Sequence, residues 1–271
     1  MKYKLGFIGA GVMAGSILDR IIATGKLKDF GLKPTDIAVY DLDEIKRKKF
    51  ADMGVSVALS SDELLAESES VLLGVKPQFY ADILKTAPVI NAKNVISIMA
   101  GVKIATLRKY FKSETGITRV MPNTPCRIGK GIAAVTFDNT DEATEALVKG
   151  LLGVCGEVIV LAESKFDAVT SISGSGPAYV FMFADAMVRA GVEGGLSVEE
   201  SRALALATIE GSAAFASAAG EDLLTMTDKV CSKGGTTIEA VDVFRAKDLY
   251  GTVSEAIGAC RKKSELLSEK L

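Results

Sequence analysis

The chain has 271 residues, with 32 Lys and Arg against 34 Asp and Glu, a formal charge of −2, four Cys, no Trp and no His. The missing His excludes imidazole relays, an imidazole general base and the zinc and non-haem iron sites built on it, so no metal is expected. The balanced charge argues against a nucleic-acid partner, and no apolar run approaches the ~18 residues of a membrane span. The start, Met1-Lys2-Tyr3-Lys4-Leu5, runs into an apolar stretch without a signal-type segment. The four Cys, at 126, 155, 231 and 260, form no C-x-x-C pair. Together these features predict a cytoplasmic protein with reduced thiols.

Strand and helix patterns alternate through the first half. Tyr3–Ile8 reads as a strand, and Met13–Thr24 as a helix with Ile17, Ile21 and Ile22 on one face. Ile37–Tyr40 is a second strand, followed by a charged helix over Leu42–Met53. Val55–Leu59 is a short strand, and Ser60-x-x-Glu63 reads as a capping box. Val71–Val75 and Val95–Met99 are apolar runs of the kind buried on both faces of a parallel sheet. Thr118–Met121, Ile132–Phe137 and Glu157–Leu161 complete the strands, with a helix over 140–153. This alternation predicts a mostly parallel sheet covered by helices.

After about residue 163 the pattern is helix upon helix: 165–172, 176–190, 198–219, 222–230, 235–245 and 248–269. Ser197-x-x-Glu200 reads as a second capping box. The helix it opens is rich in Ala, Gly and Ser and long for the unit that must bury it. It predicts a partner chain covering this face, with a buried central helix of a monomer as the other reading.

Gly9-Ala10-Gly11-Val12-Met13-Ala14 follows the first strand and opens a helix, the context of a dinucleotide fingerprint. Gly9 suits the tight turn, Gly11 lets backbone approach a pyrophosphate, and Ala14 keeps helix close to strand. The helix start supplies N–H groups and a positive dipole end. Asp41 ends the second strand, where a carboxylate accepts a ribose 2′-OH and disfavours a 2′-phosphate. Lys46, Arg47, Lys48 and Lys49 follow, as a solvated face or as cations for that phosphate, so NADH is favoured and NADPH stays open.

Gly74-Val75-Lys76-Pro77-Gln78, Ala100-Gly101-Val102 and Met121-Pro122-Asn123-Thr124-Pro125 close later strands at the ligand-binding edge of such a sheet. The prolines around Asn123 make a stiff polar loop. Ser173–Tyr179 looks like a nucleophile elbow, but Ser173 stands where that motif needs Gly and no His can activate Ser175, so a helix start is the better reading. Ser232-Lys233-Gly234-Gly235-Thr236-Thr237 reads as an anion-binding nest, or as a plain capped turn.

In this order, Phe7–Gly11, Val75–Gln78, Ala100–Val102, Met121–Pro125, Ser173–Tyr179 and Gly234–Thr237 resemble pyrroline-5-carboxylate reductase over essentially the whole chain. The resemblance implies an α/β fold: an N-terminal Rossmann domain (1–162) and an all-α dimerisation and substrate-binding domain (163–271). It implies reduction of 1-pyrroline-5-carboxylate to L-proline with NADPH or NADH, in a homodimer that can assemble further. Carried over by position, cofactor contacts fall on Ile8, Gly9, Ala10, Gly11, Val12, Met13, Asp41, Ser61, Gly74, Val75, Lys76, Pro77, Met99, Ala100 and Asn123. Substrate contacts fall on Ser232, Gly234, Gly235, Thr236 and Thr237, with the Thr237 hydroxyl at the ring nitrogen as the catalytic donor. Two departures stand out: Lys233 replaces the family's Pro, and Asp222-Leu223 replaces its usual His-Pro pair. A β-hydroxyacid or imine dehydrogenase of similar layout lacks support, because the helix over 176–190 carries no Lys. A non-catalytic nicotinamide-sensing dimer is the reading outside enzymology.

Overall fold

Eight strands form one sheet in the computed structural model, which describes residues 1–270. They are β1 (Tyr3–Ile8), β2 (Ile37–Tyr40), β3 (Ser56–Val57), β4 (Ser68–Leu73), β5 (Asn94–Ser97), β6 (Gly116–Met121), β7 (Gly131–Asp138) and β8 (Gly156–Val160). The order across the sheet is β3-β2-β1-β4-β5-β6-β7-β8. β1 to β6 run parallel, β7 is antiparallel to β6, and β8 is parallel to β7. The mostly parallel sheet is therefore present, with one reversal. The chain direction flips because Met121 reaches Gly131 through a short 3₁₀ turn over Thr124–Ile128, too little chain for a parallel crossover.

The helices around the sheet are α1 (Val12–Ala23), α2 (Glu44–Asp52), α3 (Ser61–Glu67), α4 (Tyr80–Thr86), α5 (Ile104–Leu107) and α6 (Glu142–Gly153). Successive residues of one strand feed opposite faces. Leu72, Ile96 and Val120 join the layer of Ile17, Leu18, Ile21, Val148 and Leu152. Val71, Leu73, Val95 and Ile117 join the layer of Leu64, Leu65, Tyr80, Leu84 and Leu107. Two buried faces explain why these strands read as largely apolar runs.

Ser60 caps α3 through the Glu63 amide at 3.1 Å. Glu63 does not close the box on the Ser60 amide. Its carboxylate accepts the Leu59 amide (2.8 Å), the Tyr3 hydroxyl (2.9 Å) and the Lys2 ammonium (2.8 Å) instead. The second expected box is complete, with Glu200 N to Ser197 Oγ at 3.1 Å and Ser197 N to Glu200 Oε2 at 2.8 Å.

The remaining helices are α7 (Phe166–Val169), α8 (Gly176–Glu193), α9 (Val198–Ala219), α10 (Leu223–Val230), α11 (Thr236–Ala246) and α12 (Leu249–Lys270), with a π-helical turn over Thr170–Gly174 after α7. Met1–Ser175 forms one compact unit with the chain from Cys260 onward, and Gly176–Ala259 forms the other. In the first, the end of α12 is tied down by Asp167, whose Oδ1 accepts the hydroxyls of Ser264 (2.6 Å) and Ser268 (3.3 Å). In the second, α8 and α9 approach closely at Gly191, where a Cβ would sit 2.6 Å from Ser201 Oγ. Ala184 and Ala205 are buried there, yet Phe181, Met182, Leu204 and Phe215 are each more than half exposed. So many large apolar side chains on one small helical unit mark a surface built to be covered.

Candidate functional site

The sheet's order changes direction at β1, which pairs with β2 on one side and β4 on the other. Ligands of open α/β sheets lie beyond the strand ends at such a switch point. A cavity of about 490 Å³ lies there. Ile8, Gly9 and Gly11 line it from β1 and its turn, Tyr40 and Asp41 from β2, and Gly74, Val75 and Lys76 from β4.

Three small residues let these ends converge. Gly9 has φ +91°, and a Cβ on it would lie 2.9 Å from the Gly74 carbonyl oxygen. A Cβ on Gly74 would lie 2.4 Å from the Ala14 Cβ, so the sheet and α1 meet only because position 74 has no side chain. Gly11 has the opposite surroundings: nothing lies within 4 Å of where its Cβ would be. Gly11 is also the N-cap of α1 and makes no side-chain cap bond. An open glycine floor beside a helix start fits a pyrophosphate.

Asp41 holds this turn from the side. Its Oδ2 accepts the Ala10 amide at 2.7 Å and its Oδ1 accepts the Asp43 amide at 2.9 Å. Burial pushes its carboxyl upward, but the two amides and the Lys46 ammonium outweigh that, and the group stays below the ordinary carboxylate value. Lys46 Nζ lies 3.4 Å from Asp41 Oδ1.

Of the remaining positions carried over from the family pattern, Ser61 at the start of α3 lines the same cavity. Pro77 starts a 3₁₀ turn directly after Lys76. Ala10, Gly11 and Val12 line a smaller adjoining cavity of about 220 Å³ with Lys46, Lys49 and Arg127. Met13 is half-buried against the core. Met99 and Ala100 do not line the cavity: Met99 is a core residue and Ala100 is exposed. Asn123 is not among its lining residues either. It is buried, its Oδ1 accepts the Ile132 amide (2.9 Å) and its Nδ2 donates to the Ser173 carbonyl (3.2 Å). Its amide braces the exit of β6 against the π-turn. Sequence reasoning did not pick out Tyr40, Leu42, Phe79, Asp82 or Ile83, which also line the cavity. Phe79 was the findable one, an aromatic directly after the Pro77-Gln78 turn.

The proposed substrate loop lies in the helical unit. Cys231 ends α10, Gly234 has φ +72°, and Thr236 begins α11. The Gly235 amide donates to the Ser232 carbonyl at 3.0 Å, closing the turn. A Cβ on Gly235 would meet Ser232 Oγ at 2.4 Å, so Gly235 shapes the nest. The amides of the first turn of α11 have no acceptor within the helix, so an anion at this turn would find donors there. Asp222, in place of the family's His, caps α10 by accepting the Thr225 amide at 3.0 Å.

Residues 163–267 match the family profile described as pyrroline-5-carboxylate reductase dimerisation, and residues 4–101 match NADP oxidoreductase coenzyme F420-dependent. The chain is 37% identical to the pyrroline-5-carboxylate reductase of Escherichia coli (strain K12), covering 99% of this chain and 100% of that one. It is 36% identical to the enzyme of Glycine max, with 98% and 97% covered. The solved pyrroline carboxylate reductase of Plasmodium falciparum, with NADP bound, superposes with a TM-score of 0.87 at 30% identity and 99% coverage of both chains.

Proposed function

The chain belongs to the pyrroline-5-carboxylate reductase family, and on that premise we propose which of its residues carry the reaction. It is an NAD(P)-dependent oxidoreductase that reduces 1-pyrroline-5-carboxylate to L-proline, the last step of proline synthesis. It contains a homo-oligomerisation domain. In this reading residues 1–162 bind the dinucleotide. Residues 163–271 form the dimer contact and bind the substrate, dimers assemble further, and the enzyme works in the cytoplasm.

The cofactor site is the cavity at the β1, β2 and β4 ends, and the observation that carries it is the Gly9–Gly74–Ala14 convergence beside an open Gly11. Backbone of Gly9 to Met13 takes the pyrophosphate at the start of α1. Asp41 faces the ribose, and Leu42 and Phe79 offer apolar contact to the purine. Val75, Lys76 and Pro77 shape the wall from β4. Met99, Ala100 and Asn123, at the exits of β5 and β6, extend the cofactor contacts along the same sheet edge. Bound NAD(P)H supplies the hydride. The protein then has to hold the substrate, orient it and meet the charge that develops at nitrogen.

The Gly234 and Thr236 amides and the Ser232 hydroxyl hold the substrate carboxylate, and Lys233 adds a cation beside it. Thr237 Oγ1 donates a hydrogen bond to the ring nitrogen and fixes the face of the imine, and solvent supplies the proton that completes the amine. Neither step requires an imidazole, in keeping with a chain that has none. Thr237→Ala tests this: kcat/KM for the imine should fall tenfold or more, since one lost donor is worth on the order of 1–3 kcal/mol. Dinucleotide affinity should hold. Wild-type kinetics in this variant would remove Thr237 from the site.

A further inference from the structure

The start of α2 is rich in cations, yet the ones nearest the cavity are held by neighbours. Arg47 Nη1 donates to the carbonyls of Asp41 (2.6 Å) and Leu42 (3.2 Å), and its guanidinium lies 6.0 Å from the centre of the Tyr40 ring. Lys49 pairs with Asp19 at 2.5 Å. Lys46, which lines both the main cavity and its neighbour, is held between Asp41 Oδ1 (3.4 Å) and Asp43 Oδ2 (3.8 Å).

The Asp41 side chain is 13% exposed and lines the cavity. A carboxylate has about four acceptor positions. Ala10 N, Asp43 N and Lys46 Nζ occupy three of them. The position left over can accept a hydroxyl proton and can offer nothing to an anion. A 2′-phosphate placed here would meet a fixed negative charge whose one counter-ion is already shared with a second carboxylate. A bare 2′-OH would complete the set.

We propose that Asp41 makes this enzyme selective for NADH, and that Lys46 is a latent phosphate-binding cation which Asp41 and Asp43 keep engaged. The proposal rests on the reading of this cavity as the dinucleotide site. Selectivity then sits in one charge: with Asp41 neutral, Lys46 is released toward the same cavity and a 2′-phosphate becomes the better ligand. Asn at position 41 keeps an oxygen acceptor for the Ala10 amide, so the turn keeps its brace.

Equilibrium binding of NADH and NADPH, followed by calorimetry in the absence of substrate, separates the outcomes. The wild-type protein should bind NADH at least tenfold more tightly than NADPH. Asp41→Asn should raise NADPH affinity about tenfold and bring the ratio to unity or beyond. Adding Lys46→Met to that variant should remove the gain. Lys46→Met alone, which leaves the turn and its amide brace untouched, should widen the NADH preference, because Asp41 then lacks its counter-ion. Equal or tighter wild-type binding of NADPH would overturn the proposal while leaving the dinucleotide site in place. An unchanged ratio in both Asp41→Asn and Lys46→Met would also overturn it. Binding of neither dinucleotide would overturn the proposal and the site together.

Discussion

Asp41 Oδ2 accepts the backbone amide of Ala10 at 2.7 Å, so the end of the second strand holds the turn that leaves the first. The residues are 31 apart in sequence, and the bond makes the glycine turn a shared product of both strands. A carboxylate that lines the cavity at the strand ends thereby also fixes the glycine turn beside it.

Acid stability should report this bond. Burial pushes the Asp41 carboxyl up, and the Ala10 and Asp43 amides with Lys46 pull it below its ordinary 3.8. Glu63 lies below its ordinary 4.5, held first by the Lys2 ammonium and then by the Leu59 amide. A folded-state value below the unfolded one contributes stability that is present above the unfolded value and is lost as pH falls through the folded value. Urea midpoints should therefore hold steady above roughly pH 5 and fall between roughly pH 4 and the folded-state values. Asp41→Asn should flatten part of that fall. A midpoint indifferent to pH across this range would contradict the assignment.

Gly74→Ala places a methyl 2.4 Å from the Ala14 Cβ. Neither neighbour can yield cheaply, because Ala14 belongs to α1 and Gly74 directly follows the central strand β4, its added methyl also meeting the Gly9 carbonyl oxygen at 3.2 Å. Overpacking of this kind costs about 1–3 kcal/mol. The melting temperature should drop and both dinucleotides should bind more weakly. A stable variant with unaltered binding would show that the close approach of α1 to β4 is dispensable.

Arg119 is a buried cation on β6. Its Nη1 bonds Glu163 Oε1 at 2.9 Å, and its guanidinium lies 4.8 Å from the centre of the Phe166 ring. The same Glu163 oxygen accepts the Ile104 amide at 2.8 Å. Glu163 retains some solvent access, so the loss on Arg119→Met is placed at about 1–3 kcal/mol, below that of a fully buried pair. Chemical denaturation measures it, and a variant as stable as wild type would show the pair to be neutral.

Much of this architecture is legible in the residues, and the gaps have physical causes. Val71–Val75 and Val95–Met99 announce buried parallel strands because both faces must be apolar. The Ser197 and Glu200 pair announces a helix start because each side chain serves the other's amide. The antiparallel pairing of β7 is not written in any strand pattern, since direction depends on the length of the connection, and only a short 3₁₀ turn links Met121 to Gly131. The return of α12 to the first unit rests on Asp167 meeting Ser264, 97 residues away, and no local pattern carries such a contact. At the site, Gly9 and Gly11 were legible as a motif. The crowding of Gly74 against Ala14 and the holding of Lys46 by two carboxylates were not, because each depends on where separate strand ends meet. Asn123 shows a structural role that no local pattern carries: its side chain accepts the Ile132 amide and donates to the Ser173 carbonyl, 50 residues away.

The central claim is turnover. The purified protein should oxidise NADH or NADPH only when 1-pyrroline-5-carboxylate is present, forming L-proline in equal amount. The change in nicotinamide absorbance and the proline formed can be followed in one reaction. Dependence on the imine, with one proline per dinucleotide oxidised, is the result predicted. Absence of oxidation with both cofactors, in protein shown to be folded, would contradict the account.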